Sequence, residues 1–122
     1  MRALVVGSNR ELESKVLSYL ENDPDIQIVG TTSDGREGIK LAKQFVPDLV
    51  IAQFDMPDMT GPALTRILKN DGIPPPVIVV VSLTDNPYYG QLAYQAGADG
   101  YVALTAFGQL DPLLKKLKSQ RQ

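Results

Sequence analysis

Five short apolar runs rich in Val, Ile and Leu recur along the chain, from Ala3 to Val6, Ile26 to Val29, Leu49 to Ala52, Ile78 to Val81 and Tyr101 to Ala103. Each has the length and β-branched content of a strand. Three of them, ALVV, LVIA and IVVV, are continuously apolar, which is the pattern of strands buried on both faces. The second run, Ile26-Gln27-Ile28-Val29, is mixed and suits a sheet edge.

Helical periodicity fills the intervals. Leu12, Val16, Leu17 and Leu20 form one apolar stripe, with Ser8 and Glu11 in capping-box register ahead of it and Asn22-Asp23-Pro24 stopping it. A second helix opens after Asp34 and Gly35, buries Ile39, Ala42 and Phe45 or Val46, and ends before Pro47. A third is expected from about Pro62 to Lys69, with Leu64, Ile67 and Leu68 inward and Asn70-Asp71-Gly72 closing it. The fourth runs from about Pro87 to Ala96 and stops at Gly97; the last begins near Asp111 as N-cap, with Pro112 at its first position. Leu110, Leu113, Leu114 and Leu117 then face the sheet, and Lys115, Lys116 and Lys118 read as a solvated face near the negative end of the helix dipole.

Strict alternation of strand and helix predicts an α/β fold, a doubly wound five-stranded parallel sheet with helices on both faces and right-handed crossovers. In such sheets ligands gather beyond the C-terminal ends of the strands, so the loops after Val6, Ala52, Val81 and Ala103 are where function is sought. Residues 1–118 read as one domain, and 119–122 as a polar tail or the start of a linker.

Composition narrows the chemistry. The chain has 122 residues, 43% hydrophobic and 21% charged, which is ordinary globular usage. With 12 basic and 14 acidic residues the net charge is −2, which argues against nucleic-acid binding by this segment. Cysteine and histidine are absent, removing disulfides, thiolate chemistry, the usual zinc sites and every histidine-based triad. There is no Gly-rich phosphate loop and no acid/base pair, so the expectation is not an enzyme. The N-terminal apolar run is too short for a signal peptide or a membrane span, and a cytoplasmic location is the default. Whether the 122 residues are a whole protein or an excised N-terminal domain stays open.

The segment Pro47-Asp48-Leu49-Val50-Ile51-Ala52-Gln53-Phe54-Asp55-Met56-Pro57-Asp58-Met59-Thr60-Gly61 resembles the central motif of response-regulator receiver domains, the CheY-like superfamily of two-component signalling. Val80-Val81-Ser82 resembles that family's fourth strand with its hydroxyl residue, and Ala96-Gly97-Ala98-Asp99-Gly100-Tyr101 its approach to the fifth strand. The resemblance implies strand order 2-1-3-4-5, an aspartate phosphorylated at the end of the third strand and a magnesium ion beside it. The chain departs from that pattern at the site itself. Gly7 and Ser8 stand where the family has a pair of acids, Gln53 stands at the phosphoacceptor position and Leu104 replaces the lysine after the fifth strand. Ser82, in the place of the switch hydroxyl, and Tyr101, in the place of the switch aromatic, remain.

Magnesium binds through carboxylates, and Gly7, Ser8 and Gln53 supply none. An amide cannot form an acyl phosphate, so phosphotransfer at position 53 is not expected; nor is a metal or a cofactor. Loss of the lysine fits, since a cation left in a pocket stripped of acids would be uncompensated. Asp55 and Asp58 are the alternative phosphate or metal sites, set against a reading as loop carboxylates making local turn hydrogen bonds. Asp48 reads as a solvated strand-entry residue. Ser82 is read as bonding Gln53 or backbone while Tyr101 packs in a fixed rotamer, or else the pair is a two-state element biased by a partner. Tyr88, Tyr89 and Tyr94 lie beside the surface through which such domains commonly dimerise or meet partners, and read either as interface anchors or as packing residues. The expected partners are therefore a protein, an attached output domain or a second copy; a small molecule in the neutral pocket is the alternative.

Overall fold

A computed structural model describes residues 1–121. The elements alternate as β1 (Arg2–Val6), α1 (Arg10–Glu21), β2 (Gln27–Thr32), α2 (Gly35–Phe45), β3 (Leu49–Gln53), α3 (Gly61–Asn70), β4 (Val77–Ser82), α4 (Pro87–Gln95) and β5 (Gly100–Ala103). A 3₁₀ segment, Leu104–Gln109, then leads into α5 (Leu110–Arg121). The strands form one parallel sheet of order β2-β1-β3-β4-β5, as the alternation predicts.

The three continuously apolar runs are the three central strands, and the reason is visible in the core. Ala3, Val5, Leu49, Ile51, Val77, Val79 and Val81 join Leu12, Val16, Leu20, Leu110, Leu114 and Leu117 of α1 and α5 on one face. Leu4, Val6, Val50, Ala52, Ile78 and Val80 join Ala42, Leu64, Leu68 and Ala93 of α2, α3 and α4 on the other. Every second residue of a central strand serves one layer and its neighbour serves the other, so neither face can be polar. Burying each Leu, Ile or Val of these layers contributes about 1.5–3 kcal/mol.

Several boundaries differ from the sequence expectations. The N-cap of α1 is Asn9, whose side chain accepts the Leu12 N–H, and no Ser8–Glu11 capping box forms. β2 runs on through Gly30, Thr31 and Thr32, because its edge position tolerates polar residues that a period-two reading rejects. Ile67 is exposed, and only Leu64 and Leu68 of that trio reach the core. Asp111 caps nothing: the chain is already helical at Leu110, and the Asp111 carboxylate instead accepts the Tyr19 hydroxyl at 2.5 Å and pairs with Lys115 at 3.0 Å. Lys118 leaves the solvated face to pair with Asp23, tying α5 to the turn after α1. Residues 119–121 are the last of α5, and Gln122, the end of the expected polar tail, lies outside the described residues. Asp48 is anchored, its carboxylate accepting the Arg2 N–H at 2.7 Å and its carbonyl the Val77 N–H at 2.9 Å.

α2 closes on Val46, which is exposed and sits in the left-handed region at φ 45° and ψ 65°. Its N–H donates to the Ala42 carbonyl at 2.9 Å, and Arg2 Nη1 donates to the carbonyls of Phe45 and, at 3.3 Å, Val46.

Candidate functional site

Parallel pairing brings the C-terminal ends of β1, β3, β4 and β5 to one rim, so Gly7, Ser8, Gln53, Ser82 and Leu104 meet there although they are scattered in sequence. Gln53, only 4% exposed, is the centre of this crevice. Its Oε1 accepts the Ser8 N–H at 2.8 Å and the Asn9 N–H at 2.9 Å, satisfying two donors of the loop that enters α1. Its Nε2 donates to the Asp55 carbonyl and, at 3.4 Å, to Ser8 Oγ. The amide thus spends acceptor and donor alike inside the crevice, and among the described residues no buried side-chain polar atom lacks a partner.

Gly7 completes this arrangement by having no side chain. A Cβ there would lie 3.0 Å from Gln53 Oε1 and 3.2 Å from Gln53 Cβ. The crevice is filled from β3, and any residue at position 7 would compete for the same volume.

The crevice does not fit a divalent cation. Magnesium requires oxygen donors, preferably charged ones. Gly7 and Ser8 bring no carboxylate, and the Asp55 carbonyl faces the amide donor of Gln53. Among the described residues no group of three or more His, Cys, Asp or Glu side chains is placed so that it could hold a metal ion.

The loop after β3 is cross-braced. Asp55 and Thr60 form an antiparallel bridge, the Gly61 N–H donates to the Phe54 carbonyl at 2.7 Å, and Thr60 caps α3 by accepting the Ala63 N–H. The Asp55 side chain is exposed. Asp58, expected to make local turn bonds, reaches across instead: its two oxygens accept the Gly35 and Arg36 N–H groups, each at 2.9 Å, at the start of α2. Two N–H donors at a helix N-terminus stabilise the anion. The Gly35 bond first, then that of Arg36, holds the Asp58 carboxyl below its ordinary range. A carboxyl lowered in the folded state stabilises the fold above its unfolded value, and the gain vanishes as pH falls through the folded one. Urea unfolding of wild type and Asp58→Asn should therefore differ at neutral pH and converge below the usual carboxylate range; a gap that persists in acid would contradict this.

Ser82 does not bond Gln53. Its hydroxyl donates to the Thr84 carbonyl and meets the Tyr101 hydroxyl at 2.7 Å. Tyr101 is half-buried, with its ring against Gly90 of α4. Gln53 therefore serves the β1 side of the crevice while Ser82 and Tyr101 form a separate pair on the β4 side. Leu104 and the exposed Leu83 line a shallow hollow of about 420 Å³ at the crevice mouth, with Asn9, Glu11, Lys15 and Thr105.

The three tyrosines of α4 separate. Tyr88 and Tyr94 are 60% and 53% exposed, whereas Tyr89 turns inward and stacks on Phe54 at 4.2 Å with the rings 15° apart. Of the two readings open for the tyrosines, Tyr89 takes that of a packing residue, while Tyr88 and Tyr94 stay at the surface. Phe54 itself was not singled out in the sequence, although an aromatic residue directly after the strand that ends at Gln53 is the visible signal of a buried loop.

Residues 3–116 match the sequence model of the family described as response regulator receiver domain. Among curated proteins, the protein-glutamate methylesterase/protein-glutamine glutaminase of Nocardioides sp. is 36% identical over 103 residues, which are 84% of this chain and 28% of that protein. The transcriptional regulatory protein LiaR of Bacillus subtilis is 29% identical over 87% of this chain and 50% of its own length. The chain thus spans half or less of these relatives. Among solved structures, the response regulator domain of Thermotoga maritima CheB aligns with a TM-score of 0.80 at 23% identity, covering 98% of this chain and 94% of that one. The RcsB response regulator of Salmonella typhimurium aligns with a TM-score of 0.86 at 19% identity, covering 98% and 60%. These structural likenesses concern the fold.

Proposed function

Since the chain belongs to the response regulator receiver domain family, we propose that it is a two-component-type receiver that works without phosphotransfer at position 53 and regulates through protein contacts, with its output in an attached or separate module of the cytoplasm. Gln53 carries this reading. Its amide occupies the crevice with four hydrogen bonds, to Ser8 N, Asn9 N, Ser8 Oγ and the Asp55 carbonyl. An amide is no nucleophile for phosphoryl transfer, and Leu104 supplies no cation from the end of β5 to stabilise the transferred charge. Asp58 is committed to α2, and Asp55 projects to solvent with no cation site beside it. On this reading, incubation with acetyl phosphate and magnesium followed by intact-mass spectrometry leaves the chain unmodified. A single added phosphoryl group that disappears in Asp55→Asn would transfer the function to Asp55 and end this proposal.

A second reading rests on the hollow beside Leu83 and Leu104, where two leucines meet solvent next to Lys15 and Glu11. It makes the crevice mouth a seat for a small amphipathic molecule, and ligand-induced thermal stabilisation that is lost in Leu104→Lys would favour it.

A further inference from the structure

Three aspartates, Asp34, Asp71 and Asp99, are followed directly by glycine. Such a step carries its own electrophile and nucleophile. The side-chain carboxyl carbon and the glycine amide nitrogen can close a five-membered ring, and glycine has no side chain to block the approach. After every other aspartate comes a residue with a side chain or, after Asp23 and Asp111, a proline without an N–H.

The fold locks two of the three steps. Asp34 caps α2, its carboxylate accepting the Glu37 N–H at 2.8 Å, while the buried Gly35 spends its own N–H on Asp58 at 2.9 Å. Asp99 accepts Lys69 Nζ and the Ile78 N–H, both at 2.8 Å, and Gly100 is buried at the start of β5. In both, the carboxylate is held by donors from other residues and the glycine is fixed in the packed fold.

Asp71-Gly72 stands apart. It forms the exposed turn that closes α3. Gly72 has φ 79°, nothing lies within 4 Å of a Cβ there, and no cap or turn bond engages its N–H among the described residues. Beyond Ile73 come Pro74, Pro75 and Pro76, which have no N–H with which to brace the turn. The Asp71 carboxylate has one restraint, an ion pair with Lys43 of α2 at 3.0 Å.

We propose that Asp71-Gly72 is a site of spontaneous isoaspartate formation, restrained by Lys43. The Gly72 nitrogen bonds to the Asp71 side-chain carbon, the nitrogen gives up its proton, and a carboxyl oxygen leaves as water. Water then opens the cyclic imide at either carbonyl. Opening at the main-chain carbonyl yields the isoaspartyl bond, with no net change in mass. The side-chain methylene joins the main chain, lengthening the link from α3 to β4, and the displaced carboxylate is drawn away from Lys43.

The test ages the intact chain at physiological temperature and mildly acidic pH, and locates isoaspartate by electron-transfer fragmentation, which cleaves the two linkages differently. Position 71 should exceed positions 34 and 99 by more than about tenfold, since the locked steps react only through local opening. In urea, where the folded restraints vanish, the three should agree to within about threefold. Lys43→Gln should raise the native rate at position 71 by roughly two- to five-fold, the range an exposed ion pair supports. Lys43 is exposed, so an unchanged urea midpoint verifies that this variant folds. Isoaspartate spread evenly over the three positions in the folded chain, or absent from position 71, overturns the site. A rate at position 71 indifferent to Lys43→Gln overturns the restraint.

Discussion

Gly61→Ala is expected to lower the unfolding free energy by about 2–3 kcal/mol, because a methyl at this position has nowhere to go. Its Cβ would lie 2.7 Å from the Gln53 carbonyl oxygen, 3.1 Å from Val80 Cγ1 and 3.2 Å from Phe54 Cα. Two of these neighbours are backbone, held by the β3–β4 pairing and by the bond from the Gly61 N–H to the Phe54 carbonyl. A flexible side chain could swing aside, but a strand end cannot, so α3 must lift from the sheet and the Phe54–Tyr89 stack must shift with it. Urea unfolding should show a reduced midpoint with an unchanged slope, and heating a drop in Tm on the order of 10 °C. Gly108→Ala is the control, since nothing lies within 4 Å of a Cβ there. Equal behaviour of the two variants would refute the steric account.

Gln53→Leu should follow, at about 2 kcal/mol, for a different reason. Leucine roughly conserves volume, so little of the loss comes from packing. What disappears is the acceptor for the Ser8 and Asn9 N–H groups and the donor to the Asp55 carbonyl. Each buried group left without its partner costs about 1–3 kcal/mol, reduced here because Ser8 is exposed and water can replace part of the bond. Amide hydrogen exchange at Ser8 and Asn9 should accelerate in Gln53→Leu. Gln53→Glu, which keeps an acceptor but turns a negative oxygen toward the Asp55 carbonyl, should protect Ser8 and Asn9 and loosen the loop after β3. Unchanged exchange in both variants would mean that Gln53 is not the brace of this rim.

The sheet was legible because its evidence is local and repeated. Continuous runs such as LVIA state that both faces of a strand are covered, and alternation with helices then leaves few topologies. The residues of the crevice were legible as a group for the same reason, since all of them end parallel strands. What the side chains do there was not. The bonds from Gln53 to Ser8 and Asn9 and from Asp58 to Gly35 and Arg36 join residues far apart in sequence to backbone groups, and backbone partners leave no trace in residue identity. Tyr89 read like Tyr88 because the two are adjacent; a helix turns 100° between them, and Phe54 received one of the two. Asp111-Pro112 imitated a helix start because the preceding 3₁₀ segment carries no capping signal of its own.

The end of α2 makes the first residues of the chain matter. A β-branched residue in the left-handed region costs about 1–3 kcal/mol, and Pro47 behind it prevents Val46 from relaxing into further helix. The guanidinium of Arg2 gathers the loose carbonyls of Phe45 and Val46 from the outside, like a clasp on a hem. Shortening or rebuilding the amino-terminal end for purification would therefore unfasten α2, an element it neither precedes nor follows directly, and fraying would begin some forty residues from the alteration.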